Sequence, residues 1–272
     1  MKTLEIIVAA PGRAGGALAI AADAAGHRIV GVISRTGRLA DRFQQLPDDI
    51  ELPAADLLVI ATRDDEIHPT SVRLAPFAEN IRGVVHMSGF KSVDALAPFA
   101  QAGIGIGSFH PLQSLSDPEI GARSLKGAWA GLTVIDSILG DPLFGVLTDL
   151  ATSLEMTPFP LLDSVKPVYH AAASAASNYV VAALDLAGSL LESASVPFEA
   201  MAPLTRTAVS NAFAQGPRQA LTGPIARGDW DTVKGQLEAV ARAHPDRTKQ
   251  FRLLADATAI TAGTALPEDL DV

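Results

Sequence analysis

Short apolar runs alternate with amphipathic segments from the N-terminus of the chain to residue 161. The run at 55–62, ADLLVIAT, is almost continuously apolar, which is typical of a strand buried on both faces of a parallel sheet. Strands that alternate with helices in this way predict an α/β domain with a Rossmann-type, doubly wound sheet over residues 1–161. The predicted strands cover residues 4–9, 28–33, 55–62, 83–87, 104–109 and 128–135.

The pattern changes after residue 161, where helical periodicity replaces the short apolar runs. Asp163 and Ser164, with Pro167 just inside, form a helix start. The helix that follows is predicted to run to about residue 193 and to serve as a spine for the remaining helices. Residues 162–272 are therefore predicted to form an all-helical C-terminal domain. Its further helices are expected at residues 198–214, 217–221, 230–243 and 247–262.

The segment LEIIVAAPGRAGGAL at 4–18 has the order of strand, glycine turn and helix that opens a dinucleotide-binding βαβ unit. Gly12 lets the main chain approach a pyrophosphate, and Gly15 lets the helix pack close to the strand. The helix N-terminus offers free N–H groups to the phosphates. Ala10 stands where the first glycine of the G-x-G-x-x-G motif is expected, so a tight turn in another kind of α/β protein is the alternative. The predicted cofactor contacts here are Gly12, Arg13, Ala14 and Gly15.

The end of the second strand indicates which nicotinamide cofactor is used. A carboxylate at this place would bind the ribose hydroxyls of NAD, whereas arginine accommodates the 2′-phosphate of NADP. The chain has Ser34 and Arg35 there, with Arg38 close behind and no acid before Asp41. NADP(H) is therefore the predicted cofactor, and the alternative is that both arginines are ordinary solvated charges. The ends of the third and fourth strands add the predicted cofactor contacts Ala61, Thr62, Arg63 and Ser88.

Polar side chains spaced four residues apart follow one face of the predicted long helix. A polar row on an Ala-rich helix is costly to bury unless it is paired or faces a ligand. Its cationic and hydrogen-bonding groups suit a carbonyl or hydroxyl that exchanges a proton while its carbon exchanges hydride. A stripe that faces solvent is the alternative. The row consists of Lys166, His170, Ser174 and Asn178, and the predicted catalytic residues in it are Lys166, His170 and Asn178.

Further candidates lie at strand ends and in a turn between helices. His110 follows the fifth strand and is predicted to donate a proton to a substrate oxygen, although a histidine before proline can also simply fix a turn. His86 is a less favoured candidate at the end of the fourth strand. Weak substrate contacts are predicted at Gln113, Ser174, Asn211 and Arg227. Arg227 can hold an anionic group bidentately, or it can pair with Asp229 to fix its turn.

Composition narrows the classes of chemistry. The chain has no cysteine, which excludes disulfides, thiolate metal sites and cysteine nucleophiles. Its net charge is −9 without any cluster of Lys and Arg, which argues against nucleic acid as a partner. The most apolar long stretch, 171–191, contains Asn178 and Asp185 and is interpreted as a helix of a soluble protein, not a membrane span. We expect a cytoplasmic protein with a small-molecule substrate and no metal.

Several segments together resemble a branch of the superfamily that contains 6-phosphogluconate and β-hydroxyacid dehydrogenases, ketopantoate reductase and pyrroline-5-carboxylate reductase. The matching segments are APGRAGGAL, ADLLVIATRDDEI, VVHMSGFKS, GSFHPLQSL, KPVYHAAASAASNYVVAAL and LTGPIARGD. The resemblance implies an N-terminal NADP site followed by a helical domain of unknown function, similar to the C-terminal domain of 6-phosphogluconate dehydrogenase. It also implies a homodimer, because this helical domain often dimerises in the superfamily.

The resemblance also bears on the catalytic residues. In better-known members a Lys and an Asn four residues apart on the long helix act on the substrate. Lys166 matches the Lys, but His170 occupies the place of the Asn, so the specific reaction stays open. The SGFKS and HPLQ segments look like motifs of prephenate dehydrogenase, where the His contacts the substrate hydroxyl, and this points to His110.

Three functional hypotheses follow. The main one is an NADP(H)-dependent oxidoreductase that acts on a small carbonyl or hydroxy compound, expected to be an acid; a prephenate-dehydrogenase-like substrate or an imine is the alternative. The second is a non-catalytic NADP-binding sensor or dimeric scaffold, which predicts cofactor binding without turnover. The third is a vestigial nucleotide site, which is suggested by Ala10 and predicts no binding.

Overall fold

The computed structural model describes residues 2–135 and 141–270. It divides into two compact units, Met1–Ser174 and Ala175–Val272. The first unit thus continues past the predicted domain boundary at residue 161. The segment beyond that boundary is tied to the sheet domain, because Asp163 accepts a hydrogen bond from the Val93 N–H at 3.0 Å.

The first unit is built on a seven-stranded sheet with the strand order β2-β1-β3-β4-β5-β6-β7. Neighbouring strands are parallel except for β5 and β6, which run antiparallel. This confirms the predicted Rossmann-type sheet. The strands are β1 Glu5–Ala9, β2 Arg28–Ile33, β3 Leu57–Ile60, β4 Gly83–His86, β5 Gly105–Leu112, β6 Trp129–Val134 and β7 Thr157–Pro160.

The two faces of the sheet carry separate apolar cores. One core contains Leu18 and Leu147, from helices that flank one face. The other contains Leu74 and Phe99, from helices on the opposite face. Helices on both faces are the defining feature of a doubly wound fold. The helices of this unit are α1 Arg13–Ala24, α2 Ile67–Leu74, α3 Ala97–Gln101, α4 Pro118–Leu125, α5 Pro142–Ser153 and α6 Lys166–Ala176, the last of which crosses into the second unit.

Two features of the sheet differ from the prediction. Strand β5 continues through His110 and Pro111 because this part pairs with β6, so His110 lies within a strand opposite Gly131. Strand β7, with the sequence TPFP, is not predicted at all. Two prolines are unusual in a strand, but they are tolerated at a sheet edge, where their missing N–H groups face no neighbour.

The described residues of the second unit contain helices and no strands, which confirms the predicted all-helical region. The predicted long spine is divided, because Ser177 leaves the helical backbone region with φ −123° and ψ −72°. No described helix is both long enough and apolar enough to cross a membrane. The helices of this unit are α7 Asn178–Ser193, α8 Met201–Gln215, α9 Pro217–Ala220, α10 Pro224–Arg227, α11 Trp230–Ala243 and α12 Thr248–Ala262.

Candidate functional site

The glycine turn after β1 has the geometry that its sequence suggests. Ala10 has a φ of 57°, in the left-handed region that favours glycine. This explains why the motif usually has glycine at this place, and alanine adopts the same conformation at a cost of about 1 kcal/mol. The Gly12 N–H then donates to the Ala10 carbonyl at 2.6 Å, and α1 begins at the next residue.

The two glycines of the turn have different surroundings. A Cβ added at Gly15 would lie 2.4 Å from the Cβ of Ala61, so only glycine lets α1 approach the end of β3 this closely. A Cβ added at Gly12 would meet only the Ala10 carbonyl oxygen, at 3.9 Å. Neither a side-chain cap at Gly12 nor an acid in the first turn of α1 is present, so the first N–H groups of the helix are available to an anion.

A cavity of about 930 Å³ opens at the carboxyl ends of β1, β2 and β3. The strand order changes direction between β1 and β3, and such a switch point is where doubly wound sheets bind their ligands. Four arginines and a single glutamate are the charged residues of its lining, although the whole chain carries a net charge of −9. The lining comprises Ala9, Ala10, Pro11, Gly12, Ile33, Ser34, Arg35, Thr36, Arg38, Ala61, Thr62, Arg63, Glu66, Thr70 and Arg73.

The arginines of the cavity differ in their partners. Arg63 is bonded to Asp65 through two nitrogens, at 3.2 and 2.6 Å, and Arg73 is paired with Asp48 at 3.0 Å. Arg35 and Arg38 are exposed, and no ion pair holds either guanidinium within the described part of the chain. Both are therefore free to bind a phosphate.

The cavity wall also contains a polar atom that needs a partner. The Thr62 Oγ1 is buried and forms no hydrogen bond with any described residue. A buried hydroxyl without a partner carries a free-energy penalty, which a ligand hydroxyl or phosphate oxygen would remove. Together with the open glycine turn and the unpaired arginines, this atom fits an anionic dinucleotide.

Most of the predicted cofactor contacts lie on this cavity. Ser34 lines it, and its Oγ accepts the Arg38 N–H at 3.1 Å. Arg13, Ala14 and Gly15 form the first turn of α1 and are not part of the lining. Ser88 does not line the cavity either. Its Oγ instead accepts the N–H groups of Phe90 and Lys91, at 3.1 and 2.9 Å, and shapes the loop after β4.

A second group of polar side chains lies where α6 begins beside the strands β4 and β5. Lys166 has no exposed surface, and its Nζ donates to the Ser108 Oγ at 3.0 Å. The nearest carboxylate oxygen belongs to Asp163, at 3.9 Å. Burial lowers the pKa of Lys166 to about 8, while the charges of Asp163 and Asp64 act in the opposite direction. At neutral pH this lysine therefore keeps its charge in a desolvated place.

His110 is partly exposed, as are Tyr169 and His170, and its ring lies among other rings. Its Nδ1 is 2.8 Å from the Tyr169 hydroxyl, and its ring centroid is 6.2 Å from that of His170. Burial and the charges of His170 and Lys166 lower the pKa of His110 to about 4. Burial raises the pKa of Tyr169 to about 12, so both members of this hydrogen-bonded pair are neutral at pH 7.

The structure brings three of the predicted catalytic residues, Lys166, His170 and His110, into one group. We call this group, with Ser108 and Tyr169, the buried cluster. Sequence analysis does not single out Tyr169. Its position next to His170 and three residues after Lys166 is the only sequence signal that could have indicated it.

His86 belongs to the structural framework beneath the buried cluster. It is completely buried, and both of its ring nitrogens have partners. Its Nδ1 accepts the Ser88 N–H at 3.1 Å, and its Nε2 donates to the Ser92 carbonyl at 3.3 Å. Burial and the charges of Lys166 and His110 lower its pKa to about 3. With no nitrogen left for a ligand, His86 holds the loop after β4.

The remaining predicted site residues are dispersed. The amide nitrogen of Gln113 donates to the Ser124 carbonyl, and its amide oxygen accepts the Ser114 N–H, so its side chain is occupied locally. Ser174 lies in α6, within the first unit. Three predictions belong to the second unit and stay predictions: Asn178 at the start of α7, Asn211 in α8 and Arg227 at the end of α10.

Comparison with protein families accounts for both parts of the chain. Residues 2–111 match the Rossmann-like domain, and residues 134–258 match a domain of unknown function, DUF2520. The two matches together span most of the chain, in the order Rossmann-like domain and then DUF2520. This is the pairing that the sequence resemblance implies. No curated protein matches the chain in sequence.

Solved structures share this fold over nearly the whole chain. A Bacteroides fragilis protein assigned as an NADP oxidoreductase is 23% identical with a TM-score of 0.77, covering 95% of this chain and 98% of its own. Protein TM1727 of Thermotoga maritima is 20% identical with a TM-score of 0.74, covering 95% and 100%. A reductive aminase of Aspergillus terreus, solved with NADPH and ethyl levulinate, is 14% identical with a TM-score of 0.64, covering 99% and 98%. At these identities the likeness establishes the fold alone.

Proposed function

We propose that the protein is an NADP(H)-dependent oxidoreductase acting on a small carbonyl or hydroxy compound. The observation that carries the proposal is the cavity at the switch point of the sheet, where Arg35 and Arg38 have no ionic partner beside an open glycine turn. Two structural relatives support the same cofactor: the Bacteroides fragilis protein is assigned as an NADP oxidoreductase, and the Aspergillus terreus reductive aminase was solved with NADPH.

The proposed cofactor site follows from the chemistry of its lining. The N-terminus of α1, from Gly12 to Gly15, would hold the pyrophosphate, with Arg13 and Ala14 contributing main-chain N–H groups. Arg35 and Arg38 would bind the 2′-phosphate, with Ser34 fixing the backbone between them. The remaining proposed contacts are Ala61, Thr62 and Arg63 along the wall and Ser88 in the loop after β4.

The buried cluster is the proposed catalytic group. A bound nicotinamide would supply or accept the hydride. His110, which is partly exposed, would contact the substrate oxygen, while the buried Lys166 keeps a positive charge beneath the site at neutral pH. His170 would form the neighbouring wall. Asn178 stays a proposed catalytic residue, and the weaker proposed substrate contacts beyond this cluster are Ser174, Gln113, Asn211 and Arg227.

Fluorescence titration with NADPH and NADH tests the cofactor assignment. We expect the wild type to prefer NADPH and Arg35→Ala to weaken NADPH binding by about 10- to 100-fold, since a hydrogen bond to a charged group contributes about 1.5–3 kcal/mol. NADH binding should barely change. Arg123→Ala is the matched control, because Arg123 is exposed on α4 of the same unit but does not line the cavity.

This titration, together with turnover assays on carbonyl, hydroxy and imine compounds, separates the proposal from its alternatives. If neither nucleotide binds, the glycine turn is only a fold element and the oxidoreductase proposal fails. If NADPH binds tightly but no carbonyl, hydroxy or imine compound is turned over, the protein is a sensor or scaffold.

We also propose that the protein forms a homodimer through its helical unit. Phe213 and Ile260 are 88% and 76% exposed, and Val181 and Leu204 are exposed as well. Large apolar side chains concentrated on one helical unit indicate a surface that is covered in solution. Analytical ultracentrifugation of the wild type and of Phe213→Asp tests this, and a monomeric wild type would contradict it.

A further inference from the structure

The hydrogen bond between His110 and Tyr169 has a preferred direction. The Nδ1 of His110 and the hydroxyl of Tyr169 are 2.8 Å apart, and the two rings meet edge to face with centroids at 5.5 Å. A phenol is a stronger acid than a neutral imidazole N–H, so it is the better donor of the two. The Tyr169 hydroxyl has no other hydrogen-bond partner among the described residues. The Tyr169 O–H therefore donates and Nδ1 accepts, which leaves the ring proton of His110 on Nε2.

Gly89 packs against the face of the His110 ring near Nε2. A Cβ added at Gly89 would lie 2.7 Å from both Nε2 and Cε1 of His110 and 2.9 Å from Cδ2. Because these three distances are nearly equal, the added Cβ would stand over the face of the ring, and any side chain at position 89 would displace the ring. No described residue accepts a hydrogen bond from Nε2. The ring therefore presents one available donor, Nε2–H, in the partly exposed part of the cluster.

The protonation state of His110 and the charge beside its ring support this arrangement. Burial, with a smaller electrostatic contribution from the neighbouring His170 and Lys166, lowers the pKa of His110 to about 4, so its ring is neutral over the physiological range. The charge of Lys166 disfavours a second cation placed against the ring. A neutral imidazole with its proton on Nε2 can donate a hydrogen bond there but cannot accept one.

We propose that Tyr169 fixes His110 as an Nε2–H donor and that this pair selects a carbonyl oxygen over a protonated imine nitrogen as the reacting group. A carbonyl oxygen has lone pairs that accept from Nε2–H, and the bond strengthens as negative charge develops on that oxygen during hydride addition. A protonated imine carries N–H donors and a positive charge, so it would face a donor and a like charge. This inference rests on the proposed oxidoreductase function and names Tyr169 as a positioning residue.

The tautomer is measured without any reaction. In the full-length protein labelled with ¹⁵N-histidine, two-bond ¹⁵N–¹H correlation spectra distinguish the two neutral tautomers, and His110→Asn identifies the signals of His110. His86 is an internal reference, because its Nδ1 accepts the Ser88 N–H and its proton must lie on Nε2. We expect the Nε2–H pattern for His110 in the wild type and a mixture of tautomers in Tyr169→Phe. An Nδ1–H pattern in the wild type, or no change in Tyr169→Phe, would overturn the inference.

The substrate preference is measured with NADPH and two kinds of probe, the ketone ethyl levulinate and the preformed cyclic imine 1-pyrroline. We expect wild-type kcat/KM to favour the ketone. In Tyr169→Phe the ketone value should fall about tenfold, the value of a single hydrogen bond, while the imine value holds or rises. Tyr179→Phe is the matched control, since Tyr179 is the other tyrosine of the chain and is exposed on α7.

The outcomes separate this inference from the proposed function. A wild-type preference for the imine, or an equal fall of both values in Tyr169→Phe, would overturn the substrate preference and leave the oxidoreductase proposal standing. Turnover of neither probe nor of any other carbonyl or imine would overturn the oxidoreductase proposal and the preference with it. The tautomer spectra would then still decide the role of Tyr169.

Discussion

The nucleotide cavity and the buried cluster lie at the same end of the parallel strands, yet they are assembled in opposite ways. The cavity is made by residues 9–73, mainly from main-chain turns and arginines that reach solvent. The cluster joins Ser108 and His110 to Lys166 and Tyr169, more than fifty residues later, and removes Ser108 and Lys166 from water. The charged arginines of the cavity therefore cost little free energy, because water solvates them. The charge of Lys166 has to be stabilised by neighbouring groups.

The exposure of the charged side chains explains why the charges of the two regions differ in their cost in free energy. Arg63 in the cavity wall and its partner Asp65 are 78% and 64% exposed, and such a surface pair contributes about 0–1 kcal/mol to stability. Lys166 has a carboxylate no closer than 3.9 Å and a single hydrogen-bond acceptor, so its ammonium is only partly compensated. Charges kept at such a cost are concentrated at functional sites. Substitutions in the two regions should therefore differ in their effects on the free energy of unfolding and on activity.

The largest effect is expected at the glycine turn. Gly15→Ala places a Cβ 2.4 Å from the Cβ of Ala61, within the packed contact between α1 and β3. Overpacking of this kind should lower the free energy of unfolding by about 3 kcal/mol, as measured by urea denaturation. Gly12→Ala is the matched control and should leave that free energy within about 0.5 kcal/mol, because its Cβ enters open space. Equal losses in the two variants would contradict this account of the turn.

Local rules of backbone chemistry explain why the cavity is the part that sequence predicts well. The order of strand, glycine turn and helix is contained in 4–18, and Arg35 and Arg38 directly follow their strand. Even the departure at Ala10 is understandable, since the fold imposes a φ of 57° on whatever residue stands there. Residues close in sequence are placed by their own strand and turn, so no distant contact has to be known.

The cluster is less predictable because distant pairings create it. Lys166 and His170 are recognisable as polar residues on an Ala-rich helix, but nothing local shows that Lys166 is buried against Ser108. Tyr169 is a site residue only because β5 continues into its antiparallel pairing with β6 and places His110 beside it. The same pairing partner, β6, also explains the unpredicted strand β7.

Removal of the buried charge should stabilise the protein while impairing its activity. Lys166→Met replaces the lysine by an apolar side chain of similar length, and we expect the free energy of unfolding at pH 7 to rise by about 2 kcal/mol. Turnover should fall by at least about 100-fold if the charge acts in catalysis. Urea denaturation and steady-state kinetics measure the two quantities.

The pH dependence of this variant distinguishes charge from packing. With its pKa lowered to about 8, folded Lys166 loses its proton at a lower pH than in the unfolded chain, whose usual value is 10.5. Wild-type stability from this group therefore rises between about pH 8 and 10.5, because the unfolded chain binds more protons there. The advantage of Lys166→Met should shrink over that interval. An advantage that stays constant would mean that packing, not charge, causes it.

Acidification should weaken the cluster framework by a smaller amount. The pKa values of His86 and His110 are lowered to about 3 and about 4, so each ring stays neutral when folded but is protonated near pH 6.5 when unfolded. Stability from each is complete above about pH 6.5 and is lost toward lower pH, by up to about 1.4 kcal/mol per pH unit. Urea denaturation at pH 7, 6 and 5 should show a shallower loss for His86→Asn than for the wild type. Parallel curves would contradict the burial of a neutral His86.

The smallest effect is expected where an added methyl group meets a ring that can move. Gly89→Ala brings a Cβ to 2.7 Å from atoms of the His110 ring, over its face, a contact nominally almost as tight as that at Gly15. The half-buried ring can rotate away, whereas the β3 end beside Gly15 is fixed in the sheet. We therefore expect a loss of about 1 kcal/mol in the free energy of unfolding but a change in the His110 NMR signals, with Gly145→Ala, where nothing lies within 4 Å, as the control. A loss as large as that of Gly15→Ala would show that the cluster is as rigid as the cavity.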